Sequence, residues 1–257
     1  MSKRILVVND MHVGSTMGIM PDKVELDDGN TVYANKLQRE LYSNWRKMID
    51  DIGHVDVCIC NGDLCDGINY IEDGNGLWTV DKDIQVQTAA ELLKDIKADN
   101  YHGLCGSGYH TGNKYNLDEM VMKELEGTFD MECVLNYEDV VFHVRHETGF
   151  TSVPYTRSNP LNKDMVNTIL EREEYGHIDV FLRAHTHYTH GVLWKGMFGL
   201  ITPCWKYKDA FIRKRQNVGC DLGYTIFDVD DGEYTYNVGT FTLPRRLATL
   251  HGVHGDI

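Results

Sequence analysis

No run of apolar residues in this 257-residue chain approaches the roughly 20 needed to cross a bilayer. The first such run, Ile5 to Val8, breaks at Asn9-Asp10 and is too short for a secretory signal core, so a soluble, cytoplasmic protein is expected. Positive charge is also scarce, with 25 Lys and Arg against 39 Asp and Glu and a formal net charge of −14. That balance excludes a protein that coats nucleic acid through a broad basic surface. It does not exclude a nuclease, because bound divalent cations reverse the local field where a phosphate must sit. A disulfide framework is missing as well. Seven cysteines are an odd number in a chain too large to need staples, and they are expected as reduced thiols. Cys58 and Cys60 alternate with Ile59 and should share one face of a buried strand; with no second thiol pair they lack the usual structural-zinc spacing. There is no internal repeat, low-complexity tract or linker. With 42% hydrophobic residues the chain suits one domain spanning residues 1–257 around one substantial core.

The hydrophobic pattern is that of an α/β protein. Arg4 to Asn9, Val55 to Cys60 and Tyr101 to Cys105 read as buried strands, each opening into a polar or glycine-rich turn. Asn35 to Ile52 places Leu37, Leu41, Trp45, Met48 and Ile49 on one helical face, and further helices are expected at Asp83 to Lys97 and Leu161 to Tyr175. Later strands are expected at Val140 to Arg145, Val180 to Ala184, Gly191 to Lys195, Tyr224 to Val229 and Tyr234 to Val238. Residues 13–34 carry glycine, proline and acidic clusters without periodicity and read as an irregular insertion near the strand ends, while 244–257 read as a C-terminal tail.

What the sequence has in abundance is histidine and aspartate at strand ends. Asp10 and His12 close the first strand, Asp63 the second, His110 the third, and His146, His185 and His187 later ones. One such residue is ordinarily a hydrogen-bonded structural group or a helix cap. Seven so placed point to a shared site. In Asp-x-His and His-x-His, alternate residues at an extended strand end would face one ion together. Carboxylates mixed with imidazoles suit Mn, Fe, Zn, Co or Ni better than Mg or Ca.

Asp10-Met11-His12, Gly62-Asp63-Leu64-Cys65-Asp66 and His185-Thr186-His187 resemble, in order, the DxH, GDxxD and GHxH blocks of calcineurin-like metallophosphoesterases. The resemblance runs through nearly the whole chain and is closest to phage and prophage members, which NGDLCDG and ITPCWKYKDAFIRKR resemble. It implies a sandwich of two packed mixed β-sheets flanked by helices. It also implies a metal-dependent phosphoesterase with a hydroxide activated by two divalent transition metal ions, manganese first among them. By the resemblance Asp10, His12 and His187 hold one ion, His146 and His185 the other, and Asp63 bridges them. Asp66 then either orients a neighbouring imidazole or is a turn residue bonding its own backbone.

The third block departs from the family pattern: where GNH is usual, this chain has Gly106-Ser107-Gly108-Tyr109-His110 and no Asn beside His110. His110 is therefore either a ligand of the second ion or the catalytic proton donor. His143 competes with His146, three residues away and so on the opposite face of a regular strand; His146 is preferred because the resemblance places the ligand where the strand gives way to Glu147-Thr148-Gly149. The expected substrate is a phosphoester, with a phosphodiesterase or nuclease ahead of a phosphomonoesterase. The segment Lys206 to Arg215 interleaves Lys206, Lys208, Arg213, Lys214 and Arg215 with Trp205, Tyr207 and Phe211. It reads either as a single-strand nucleic-acid or nucleotide contact or as a surface strip over core aromatics. Two readings from other classes remain: a metal-poor scaffold for a protein partner, and a mononuclear iron oxygenase.

Overall fold

The computed structural model describes residues 2–68, 74–111, 115–171, 175–209 and 219–244. In chain order the first elements are β1 (Lys3–Val8), a hairpin of β2 (Lys23–Glu25) and β3 (Thr31–Tyr33), α1 (Lys36–Ile52), β4 (Val55–Cys60) and α2 (Lys82–Lys94). There follow β5 (Ala98–Leu104), α3 (Gly108–Thr111), α4 (Leu117–Glu124), β6 (Thr128–Asp130), β7 (Cys133–Tyr137) and β8 (Val140–Val144). The last are a 3-10 turn at Pro154–Thr156, α5 (Ser158–Leu170), β9 (Val180–Arg183), β10 (His190–Trp194), β11 (Met197–Ile201), β12 (Leu222–Asp230) and β13 (Glu233–Phe241).

Strand alternation builds the layers. In β1, Ile5 and Val7 face a second sheet while Leu6 and Val8 face helices, and β4 repeats this with Val57 and Ile59 against Cys58 and Cys60. Strands buried on both faces read as unbroken apolar runs, which is how β1 and β4 appear in the sequence. The first sheet has the order β13-β12-β1-β4-β5-β6, with β1, β4, β5 and β6 parallel and β12 and β13 antiparallel. The second has the order β10-β11-β9-β8-β7, with β8, β9 and β11 parallel. Val140, Phe142 and Val144 of β8 and Val180 and Leu182 of β9 meet the first sheet in the inter-sheet core. Phe181 faces away, onto Leu161 and Met165 of α5. Two mixed sheets are thus packed together with helices outside, the sandwich expected from the sequence blocks. Among the described residues no helix is long and apolar enough to cross a membrane.

The expected long elements are present with shifted ends. Asn35 caps α1 in a reciprocal pair with Gln38, so the helix begins where expected. Asp81 caps α2, which stops at Lys94 rather than Lys97, and α5 starts and ends earlier than its periodicity suggested. The segment 13–34 is not wholly irregular, because β2 and β3 pair within it and Val13 bridges to Cys65. The short elements β6, β7, β11 and α4 lacked enough residues to display a period. Of the tail, 245–257 lie outside the described residues, as do 210–218 of the basic segment.

Trp45 anchors α1 on this frame. It is fully buried and packs edge-on against Trp205, with ring centroids 4.8 Å apart. Trp45→Ala is expected to cost about 3–5 kcal/mol, read as a lowered urea midpoint at unchanged slope; a loss under about 1 kcal/mol would show that the site collapses without a cavity.

Candidate metal centre

Five strands, β1, β4, β5, β8 and β9, deliver their carboxyl ends to one place, where open α/β sheets commonly place their ligands. Asp10 and His12 follow β1, Asp63 follows β4, His146 follows β8, and His185 and His187 follow β9. The side chains form two adjoining donor groups, Asp10 with His12 and His187, and Asp63 with His146 and His185, each with donor atoms within 4.8 Å of one another. In the first group His187 Nε2 lies 3.2 Å from Asp10 Oδ1 and 3.3 Å from His12 Nε2. In the second, His146 Nε2 is 3.1 Å from Asp63 Oδ2, and it lies 3.9 Å from Asp10 Oδ1, where the groups meet.

The backbone that presents these groups differs from the sequence expectation. Asp10, His12, Asp63, His185 and His187 all have φ between 47° and 70°, so the pairs converge through left-handed turns and not through the alternation of an extended strand. They are five of the eleven non-glycine residues with positive φ among those described. Asp and His tolerate this region better than most residues, yet each such placement still costs of order 1 kcal/mol. Close approach demands glycine nearby. A Cβ on Gly62 would stand 2.6 Å from His146 Nδ1, and one on Gly106 2.2 Å from Asp63 Oδ1.

Two of the imidazoles, His12 and His146, are aimed by a partner on the other nitrogen. His12 Nδ1 donates to Asp66 Oδ1 at 2.8 Å, and His146 Nδ1 donates to the Asn61 carbonyl at 2.6 Å, leaving Nε2 of both toward the centre. Asp66 therefore sits where an orienting carboxylate would. Asn9 donates to Asp10 Oδ2 at 2.6 Å and the His185 amide adds a bond at 3.2 Å, while the buried Oδ1 has no hydrogen-bond partner. His143 shares the α5 side of β8 with Val141, and Arg183 donates to its Nδ1 at 3.1 Å. Burial first, then Arg183 and Arg145, pushes His143 down to about 3. The structure brings His146, and not His143, to the donor cluster.

His110 stands on the first group's side. Its Nδ1 donates to the Asp66 carbonyl at 2.7 Å, its ring meets His12 edge-on at 4.4 Å, and it clusters with His12 and Asp66 instead of with His146 and His185. Ser107 occupies the place nearest the missing Asn. Its amide donates to Asp63 Oδ1 at 2.8 Å and its hydroxyl to Oδ2 at 3.0 Å. Three further residues escaped the sequence reading. Asp118 accepts from the amides of Asp63, Leu64 and Gly106, tying the turn after β4 to the turn after β5; burial, then Asp63, raises its carboxyl to about 6. Asn9 has been described. Lys206, read as part of either a nucleic-acid contact or a surface strip, is buried, with Nζ 3.0 Å from both Asp66 and Asp209. Trp205 is core too, so at these two positions the strip is interior, and the strip residues Phe211, Arg213, Lys214 and Arg215 lie outside the described residues.

The electrostatics suit bound cations. Burial works to raise Asp10 and Asp63, but the imidazoles outweigh it and hold both carboxyls below their usual range. In return, burial opposed and outweighed by Asp63 leaves His146 at about 10, and by Asp10 leaves His187 at about 10. Asp66 is held low by Lys206 and His12 against its own burial. Two buried carboxylates, four imidazoles and an unpartnered Asp10 oxygen fit divalent transition ions by donor chemistry, since such groups are costly to bury uncompensated.

No protein-family model and no curated protein sequence matches the chain. Solved structures do match. Vacuolar protein sorting 29 from Cryptosporidium parvum is 14% identical, with 94% of this chain and 99% of that one covered and a TM-score of 0.50. A zinc-complexed Vps29 from Entamoeba histolytica is 12% identical over 93% and 99% of the two chains, with a TM-score of 0.46. An archaeal phosphodiesterase is 13% identical over 91% and 99%, with a TM-score of 0.47. At these identities the likeness shows a shared fold, and the Cryptosporidium protein carries that statement. The shared fold is a sandwich of two mixed β-sheets flanked by helices.

Metal uptake must displace protons from imidazoles held near 10, so apparent affinity for Mn2+ is expected to rise from neutral pH toward about 10. Titration calorimetry in buffers of different ionisation heat counts the protons released; a heat independent of buffer would mean His146 and His187 are already neutral.

Proposed function

We propose that the protein is a metal-dependent phosphoesterase that hydrolyses phosphodiesters, with phosphomonoesters the second substrate class. The observation that carries this reading is the pair of adjoining buried donor groups, Asp10-His12-His187 and Asp63-His146-His185, at the carboxyl ends of parallel strands. Each group would hold one divalent cation, and cations bound there would supply Lewis acidity to the phosphoryl oxygens and a water nucleophile at neutral pH.

The chain's own residues do the remaining work. Asp66 and the Asn61 carbonyl fix the tautomers of His12 and His146, so both present Nε2. Asn9 and the His185 amide saturate Asp10 Oδ2 and free Oδ1. Ser107 holds Asp63 with its amide and its hydroxyl. His110, its Nδ1 committed to the Asp66 carbonyl, keeps Nε2 for the role of proton-transfer group to the leaving oxygen. Nuclease action keeps only the support of the phage-type sequence phrases, because Trp205 and Lys206 are interior. A scaffold without metal chemistry would be expected to have lost donors, and here both groups keep three, with only the Asn of the third block missing.

Loaded with Mn2+, the protein is expected to cleave bis-p-nitrophenyl phosphate faster than p-nitrophenyl phosphate; turnover of neither overturns the proposal. His110→Ala should keep two metal equivalents while turnover falls roughly 10²–10⁴-fold. Loss of one equivalent would instead make His110 a ligand.

A further inference from the structure

Beside the metal centre lies a group the phosphoesterase reading does not use. Cys204, Cys220 and His187 each bring one donor atom to within 4.8 Å of the others. The two cysteines come from separate stretches of chain. Cys204 follows β11 and bridges in parallel to Leu222 at the start of β12, with its amide on the Asp221 carbonyl and its carbonyl accepting from Gly223, both at 2.9 Å. Cys220 comes just before that strand and is partly exposed, whereas Cys204 is buried.

The other close thiol pair shows what is unusual here. Cys58 and Cys60 have sulfurs 3.8 Å apart, but they are neighbours on one regular strand and wholly inside the helix-side core. Residues two apart on a strand have Cα atoms roughly 6.6 Å apart, at the upper end of disulfide reach, and no oxidant has a path to this pair. Cys204 and Cys220 have both the freedom of separate segments and an opening to solvent.

The same stretch steadies His187. The Asp221 amide donates to the His187 carbonyl at 2.9 Å, and Asp221 Oδ2 accepts from the Thr189 amide at 2.7 Å. The Cys204 thiol donates to the Lys206 carbonyl at 3.2 Å, and Lys206 in turn holds Asp66, which orients His12. Any movement that joins the sulfurs shifts Asp221 and removes the Cys204 S–H, so it is felt on both sides of the first donor group.

We propose that Cys204 and Cys220 are a reversible oxidation site, closed to a disulfide by a peroxide, and that closure loosens the hold on His187. The exposed partner reacts first: Cys220 sulfur attacks one peroxide oxygen, the O–O bond breaks, and Cys220 becomes a sulfenic acid while the leaving hydroxide takes the Cys220 thiol proton as water. Cys204 sulfur then attacks Cys220 sulfur, the S–O bond breaks, and the departing hydroxide takes the Cys204 proton as water. Two thiols lose two electrons and peroxide gains them, giving one disulfide and two waters. Formation of the bond is independent of the phosphoesterase reading; its consequence at His187 rests on that reading.

Reduced, metal-free full-length protein is treated with hydrogen peroxide, its remaining thiols are alkylated, and it is digested with trypsin without reductant. Lys206, Lys208, Arg213, Lys214 and Arg215 lie between the two cysteines, so cleavage places them on separate peptides. The expected product is those peptides joined with loss of two hydrogens, split again by dithiothreitol, and absent in Cys220→Ser. In Cys204→Ser, dimedone should trap a sulfenic acid at Cys220. Wild-type protein with both cysteines alkylated as fully as Cys58 would overturn the site. Mn2+ affinity of the oxidised protein is then compared with that of the reduced protein, with a roughly 10–100-fold fall expected and recovery on reduction. Equal affinities overturn the coupling to His187. A chain that closes the bond yet takes up no metal in either state upholds the oxidation site and removes the phosphoesterase reading.

Discussion

Asp10 and Asp63 lie at 0% and 2% exposure, and a carboxylate so far from water stays ionised only where positive charge or convergent donors replace its hydration. Here the replacement is a shell of imidazoles. Several features around the centre serve that compensation: the second nitrogen of His12 is tied to a carboxylate and that of His146 to a carbonyl, Oδ2 of Asp10 is tied by Asn9, and Asp66 is itself neutralised by Lys206. The arrangement is a nested one in which each charge is answered by a group further out. Removing an outer member would leave the next one inward unpaired, a loss that weighs more in a buried setting than at a surface.

The scaffold ties the strand ends in as well. Met11 and Val13 after β1 and Leu64 and Cys65 after β4 are buried in the helix-side core, so the turns that carry the donors are anchored by their own apolar neighbours. Asp118 keeps two turns in register. One buried carboxylate accepts three amides from two turns, fixing Asp63 relative to Gly106 and Ser107 without covering either.

Much of this was legible in the sequence, and the reasons are specific. β1 and β4 are apolar on both faces and announce themselves; α1 carries a long one-sided stripe and a capping Asn. Strand alternation put His143 and His146 on opposite faces and the family resemblance chose His146; the structure places His143 on the α5 side with Val141. Lys206 could not be read, since a lysine among aromatics and other cations looks alike whether it faces water or a buried aspartate 140 residues away in the chain. Asp118 and Ser107 were hidden for the same reason: their partners are distant in sequence, and a helix-entry Asp or a Ser in a glycine turn carries a local explanation already. The left-handed turns were hidden too, because Asp-x-His is equally compatible with an extended chain.

Those turns bear on how the centre can vary. At Asp10, His12, Asp63, His185 and His187 the backbone by itself would be served best by glycine, which enters the left-handed region without steric cost. A chain chosen for folding alone would carry glycine at all five. The side chains present are instead the donors, so these positions are where the demands of folding and of chemistry diverge. A search for more stable variants will be drawn to replace the very residues that give the cleft its purpose.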